Sequence, residues 1–198
     1  MMDLGLKSPD LFRQAVPVGG RWIDADECGI EVTNPATGEV LGFVPDLGVA
    51  ETSEAIDAAQ MAQKAWAART AKDRSNVLRR WFDLMMANQD DLGRILTAEQ
   101  GKPLAEAKGE IAYGASFIEW FAEEARRAYG DITPGHAPDK RILSVKQPIG
   151  VVAAITPWNS PIASDAQKIA PALAAGNACV LKPAEDACLT ALAFADLA

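Results

Sequence analysis

"IGVVAAITPWNSPIASDAQKIAPALAAGNACVLKPAE", residues 149–185, decides the fold. Residues 149–158 form a continuous apolar, β-branched run, the pattern of a strand buried on both faces. Residues 160–176 read as a helix, with Pro161 near its first turn and Gly176 just past its last, the order that helices favour. "NACVLKP" (177–183) reads as a second buried strand, and residues 184–198 begin another helix without a stop signal. Strand, helix, strand, helix is a βαβ unit that crosses over right-handed into a parallel, Rossmann-like sheet. Two parallel strands are not a stable body by themselves. The sheet is therefore expected to be incomplete within these residues.

Ligands of open parallel sheets bind beyond the carboxyl ends of the strands. One such end carries Thr156, Pro157, Trp158 and Asn159; the next carries Lys182, Pro183, Ala184 and Glu185. Lys182 offers a cation with three donors, Glu185 a carboxylate able to accept from a ribose diol, and Asn159 an amide N–H pair. A nucleotide with a sugar diol fits this set better than a simple anion. Two plainer readings stay open: Lys182 and Glu185 as a surface ion pair, and Asn159 as the N-cap of the following helix. Neither GxGxxG nor a Walker loop is present.

Upstream, residues 18–48 are turn-rich, with short strands at Ile30–Thr33 and Val40–Val44 flanking "NPATGE" and Trp22 as an apolar anchor. Helices are expected over 51–68 with Ser53 as N-cap, and over 72–88, 90–99 and 104–129. Their apolar stripes include Ala55, Ala58, Ala59, Ala62 and Trp66; Leu78, Trp81, Leu84 and Met85; and Ile111, Phe117 and Ile118. Gly101 and Pro103 in "QGKP" are stop signals, and Lys72, Arg74, Arg79 and Arg80 read as a solvated helix face. Residues 130–147 are extended and turn-punctuated, a two-stranded arm of a kind that pairs between subunits. The expected organisation is thus 1–129 hairpin and helices, 130–147 arm, and 148–198 the first βαβα segment.

The 198 residues carry a net charge of -8, which argues against nucleic acid because phosphate binding needs a basic stripe. No apolar run approaches the roughly 18 residues that a membrane span needs. "MMDLGLKSPDLFRQ" is charged where a secretory signal needs an apolar core, so a cytoplasmic protein is expected. Cys28, Cys179 and Cys188 lack CxxC spacing and there is one histidine, His136, so neither a disulfide framework nor a metal site is expected. Cys179 reads as a small buried hydrophobe, and the acidic Asp24, Asp26 and Glu27 before Cys28 would raise its thiol pKa rather than activate it.

"ITPWNSP", "KIAPALAAGNACVLKPAE" and "LTALAFADLA" closely resemble the aldehyde dehydrogenase superfamily. The likeness continues upstream through "VTNPATGEVLGFVP", "LTAEQGKPLAEAKGEI" and "KQPIGVVAAITPWN", covering the chain from about Trp22. Residues 99–131 and 134–151 are most similar to the succinate-semialdehyde branch, glutarate-semialdehyde enzymes included. The resemblance implies the N-terminal part of the aldehyde dehydrogenase fold, with 1–129 and 148–198 in a cofactor-binding domain and 130–147 in an oligomerisation domain. It implies NAD(P)-dependent oxidation of a semialdehyde to its acid through a thiohemiacetal on a cysteine, in a homo-oligomer, dimer or tetramer. By the resemblance Asn159 donates to the oxyanion, Lys168 stands in a proton-relay position, and Thr156, Pro157 and Trp158 line the cofactor cleft. Lys182 and Glu185, with Pro183 and Ala184 between them, would hold the adenosine ribose.

Two departures from the family pattern carry information. Members that prefer NADP often have a small residue where this chain has Glu185, so NAD is expected and NADP less so. Gln167 stands where succinate-semialdehyde enzymes usually place a substrate-clamping arginine, and Asp165 where an apolar residue is common. Either another arginine beyond residue 198 clamps the substrate, or the aldehyde is uncharged. The nucleophilic cysteine and general-base glutamate are likewise expected beyond residue 198, leaving this stretch inactive alone. A non-catalytic assembly module pairing with full-length subunits through the arm is the alternative; an unrelated nucleotide-binding protein is a third.

Overall fold

A computed structural model describes residues 4–25 and 29–198. Cys28, Asp26 and Glu27 lie outside the described residues.

Two antiparallel hairpins open the chain. β1 (Ala15–Val18) pairs with β2 (Arg21–Asp24) across Gly19 and Gly20, and β3 (Ile30–Thr33) pairs with β4 (Val40–Val44). The second hairpin matches the sequence reading. The first was legible only as a turn, because Pro17 interrupts its alternation; a two-stranded ribbon tolerates proline since every strand is an edge. Trp22 corrects its expectation. It stands 39% exposed on β2, with the Arg13 guanidinium 5.1 Å above its ring, rather than anchoring the core.

Four helices follow: α1 (Val49–Ala67), α2 (Ala71–Ala87), α3 (Gln89–Gln100) and α4 (Leu104–Glu124). α1 begins before the Ser53 cap suggested by its sequence. Gly48 is the N-cap, its N–H donating to the Glu51 carboxylate at 3.0 Å, while the Ser53 hydroxyl donates to the Val49 carbonyl inside the helix. A glutamate at the third helical position does the capping work that the serine was expected to do. α4 stops at Glu124, short of residue 129, and tightens into a 3₁₀ turn over Ala125–Arg127. The buried stripes of α2, α3 and α4 meet in one core through Leu78, Met85, Leu92, Ile95 and Ile111, although Leu84 is left exposed. Trp81 stacks against Phe194 with ring centroids 4.5 Å apart.

The arm forms as β5 (Asp131–Pro134) paired with β6 (Arg141–Ser144), every residue exposed. The βαβ unit follows as β7 (Val151–Ile155), α5 (Pro161–Ala174), β8 (Ala178–Lys182) and then α6 (Cys188–Asp196). β7 and β8 are parallel, in register from Val151↔Ala178 to Ile155↔Lys182. Burial on both faces is not reached. Ile155 is 70% exposed and β8 is only half-buried, because a two-stranded sheet has nothing beyond its edges and too few helices to cover it.

α5 is pinned at both ends. Its first residue is Pro161, and Gly176 at φ +89° takes the left-handed turn that ends it. Side chains from α1 and α2 satisfy its last carbonyls. Trp66 Nε1 donates to Leu173, Arg74 Nε to Ala174, and Gln63 Nε2 to the Gly176 carbonyl just beyond the helix. Arg74 is therefore a structural cap, not part of a solvated basic face. Among the described residues no helix is long and apolar enough to cross a membrane.

Candidate functional site at the strand tips

The parallel register puts the carboxyl ends of β7 and β8 side by side, and the Thr156 N–H donates to the Lys182 carbonyl at 3.2 Å. Thr156 is buried under this rim, while Pro157, Trp158 and Asn159 stand exposed on it. Ser160, not Asn159, occupies the N-cap position of α5. The capping alternative for Asn159 is thereby removed.

On the neighbouring tip, Lys182 Nζ lies 3.0 Å from Glu185 Oε2, both side chains 64% exposed. A Glu185 backbone N–H and the Lys182 ammonium hold the Glu185 carboxyl below its usual range. A pair so open to water contributes little to stability. Both groups are free to re-aim at a ligand with hydroxyls. Lys168 is half-buried on α5 and donates to its own helix, at the Ser164 carbonyl 3.3 Å away; Gln167 is exposed beside it. The structure thus brings 156–159 and 182–185 to one rim and leaves Lys168 and Gln167 on the helix below it.

Residues that the sequence reading passed over hold the Asn159 loop and the start of α6 from behind. Gly101, at φ +82°, turns the chain after α3, so that Glu99 reaches the start of α6 and Lys102 the Asn159 loop. Gln100 Nε2 and Lys102 Nζ both donate to the Asn159 carbonyl, at 3.4 and 3.0 Å. Lys102 also pairs with the buried Glu110 of α4. Glu99, 3% exposed, accepts from the Leu189 N–H, the Thr190 N–H and the Thr190 hydroxyl, which fixes the start of α6. Burial pushes the Glu99 carboxyl up to about 7 against the pull of those hydrogen bonds.

Asp165 is fully buried in α5, and neither carboxylate oxygen has a hydrogen-bond partner. Burial raises it to about 6; the Thr156 hydroxyl and Lys168 oppose the rise without a well-aligned bond being formed, and Glu110 adds to it. An acid raised from 3.8 to about 6 on folding stabilises the protein most at low pH, and its contribution falls as pH climbs from 3.8 to 6. Asp165→Asn should therefore make the protein about 2 kcal/mol more stable at pH 8, the carboxylate penalty less the cost of a buried amide. The gain should shrink steadily toward pH 4. Urea unfolding midpoints at pH 8, 6 and 4.5 check this; parallel curves for the two proteins would contradict it.

Neither described cysteine is poised as a nucleophile. Burial, with the nearby Asp165 carboxylate, lifts the Cys179 thiol to about 11. Burial, then the Glu99 carboxylate, lifts that of Cys188 to about 12.

The profile of the aldehyde dehydrogenase family matches residues 22–198. The chain is 64% identical over 194 residues to glutarate-semialdehyde dehydrogenase of Pseudomonas putida, covering 98% of this chain and 40% of that one. It is 60% identical over 194 residues to succinate-semialdehyde dehydrogenase (NADP(+)) of Escherichia coli, again 98% of this chain and 40% of that one. The crystal structure of an aldehyde dehydrogenase from Brucella melitensis biovar abortus superposes with a TM-score of 0.96 at 55% identity, over 100% of this chain and 41% of that chain. The chain thus spans about 40% of the length of the curated relatives it matches.

Proposed function

The chain belongs to the aldehyde dehydrogenase family, and from that premise we propose that it forms the oxyanion and nucleotide-ribose part of an NAD-dependent enzyme that oxidises a semialdehyde to its carboxylic acid. One observation carries the reading: an exposed carboxamide, Asn159, whose backbone carbonyl is tied down by Lys102 and Gln100, on the rim it shares with Lys182 and Glu185. A carbonyl under attack by a thiolate develops negative charge on oxygen, and a donor fixed in advance stabilises that charge without reorganising. Pro157 and Pro161 limit the backbone on either side of the donor.

The family resemblance assigns the nucleophile to a cysteine beyond residue 198, leaving these residues alone inactive. The Cys179 and Cys188 thiols, pushed up to about 11 and 12, are protonated at neutral pH and offer no substitute. Lys182 and Glu185 fit a ribose diol: an exposed cation and an exposed carboxylate, adjacent at the carboxyl end of a parallel strand. NAD, when bound, supplies the hydride acceptor. Lys168 sits one helix below, where an ammonium can pass a proton toward the rim through water. The exposed arm, with Ile132, Leu143 and Val145 open to solvent, pairs with a further copy in a homo-oligomer.

Cofactor choice follows from Glu185. Its carboxylate accepts from a 2′-hydroxyl and repels a 2′-phosphate, although the Escherichia coli relative is named for NADP(+). We expect kcat/KM for NAD to exceed that for NADP by about ten-fold or more, and Glu185→Ser to close most of that gap. Equal use of both cofactors by the parent would overturn this assignment.

The founding experiment is steady-state turnover by the full-length enzyme, this chain continued by the C-terminal portion carried by the Pseudomonas putida relative. Glutarate semialdehyde, succinate semialdehyde and an uncharged aldehyde of equal length should be compared. A second reading is favoured by Gln167, a neutral, exposed amide that cannot make a bidentate charged contact to a distal carboxylate. If it holds, the uncharged aldehyde is the best of the three.

A further inference from the structure

Residues 99–102, the end of α3 and the turn that follows it, reach both the Asn159 loop and the start of α6, and their charged side chains are placed where an ordinary helix connection would not need them. The left-handed Gly101 turn packs so closely that a side chain there would come within 3.0 Å of the Pro35 ring. This tight turn sends the Lys102 side chain inward. The lysine is 16% exposed and its partner Glu110 only 6%. A desolvated pair of this kind is seldom the cheapest way to stabilise a fold, since two apolar side chains of similar volume do as well or better. The spare donors of Lys102 reach one further acceptor, the main-chain carbonyl of Asn159.

That carbonyl belongs to the same residue whose exposed side chain is read above as the oxyanion donor. Holding it limits rotation of the Asn159–Ser160 peptide, and Pro157 and Pro161 restrict the chain on either side. Gln100 adds a longer, neutral bond to the same oxygen. Glu110 keeps the ammonium from swinging to solvent.

We propose that Lys102, held by Glu110, is a positioning residue for the reaction: it does not touch substrate but fixes the peptide from which the Asn159 carboxamide is aimed. The inference rests on the reading of Asn159 as the oxyanion donor. It adds a residue outside both strand-tip loops to the machinery.

The test uses the same full-length enzyme. Removing Lys102 alone would strand the Glu110 charge, so the variant is Lys102→Met combined with Glu110→Gln. This double variant should lower kcat about 10- to 100-fold, the scale of a misplacement of about 1 Å, with the dissociation constant for NAD within about two-fold of the parent. In an Asn159→Ala background the same double change should lower kcat no further, because the side chain being aimed is gone. Lys102→Arg, which can reach both partners, should recover most of the loss. Amide hydrogen exchange at residues 158–160 should quicken in the double variant.

Unchanged kcat, an equal loss in the Asn159→Ala background, a parallel loss of NAD affinity, or failure of the double variant to fold would each overturn the proposal. An enzyme whose parent oxidises no aldehyde would sink the functional reading instead. The exchange data would then still decide whether Lys102 holds the loop.

Discussion

Asn159→Ala in the full-length enzyme should reduce kcat about 10²- to 10³-fold, or roughly 3–4 kcal/mol of barrier, with NAD binding close to the parent's. The reason is geometric. The carboxamide is exposed at the strand tip, it is not engaged in capping α5, and its backbone is already held by Lys102 and Gln100. Truncation therefore removes a donor without disturbing what supports it. Asn159→Asp is the sharper variant, since a carboxylate of nearly the same shape would repel the developing oxyanion and should be at least as damaging. Stopped-flow kinetics with purified variants, together with NAD titration by tryptophan fluorescence, give both quantities. A loss confined to KM would mean that the side chain binds ground-state substrate, and the oxyanion assignment would fall.

Glu99→Ala should cost about 3–5 kcal/mol of stability, because it leaves two buried backbone N–H groups and one hydroxyl without an acceptor. Those groups start α6, and Phe194 of α6 stacks on Trp81, so the damage should spread into the core. Glu99→Gln should lose less. Its amide oxygen can still accept from Thr190, while its NH₂ meets the Leu189 N–H as a second donor. Chemical denaturation with circular dichroism detection ranks parent, Gln and Ala. If the Ala variant matched the parent, Glu99 would be an isolated buried charge with no structural role.

Three of the four buried carboxylates among the described residues mark the boundary between what was and was not legible. Glu99 follows Leu92, Ile95 and Leu96; Glu110 lies between Ala107 and the Ile111–Gly114 pair; Asp165 stands with Ile162, Ala166 and Ile169. Each occupies an apolar position of a helical repeat, and a charge on a core stripe is a signal that periodicity alone displays. Asp165 drew notice as a departure, whereas Glu99 and Lys102 were passed over because "QGKP" reads so well as a stop signal. What each carboxylate meets was not legible. Leu189 is 90 residues from Glu99 in the chain, and Asn159 is 57 from Lys102.

Local pattern was enough for the helices, the β3–β4 hairpin, the arm and the βαβ crossover, since each is decided by side-chain period and by proline and glycine within a few residues. The strand tips and their polar residues follow from that crossover, because parallel strands joined by a helix must present their carboxyl ends together. Only the folded chain decided that Arg74 caps α5, that Ser160 displaces Asn159 from the capping position, and that Lys102 grips the strand tip from behind. Such bonds join residues far apart in the chain. Their existence depends on how helices stack in three dimensions, which no local periodicity encodes.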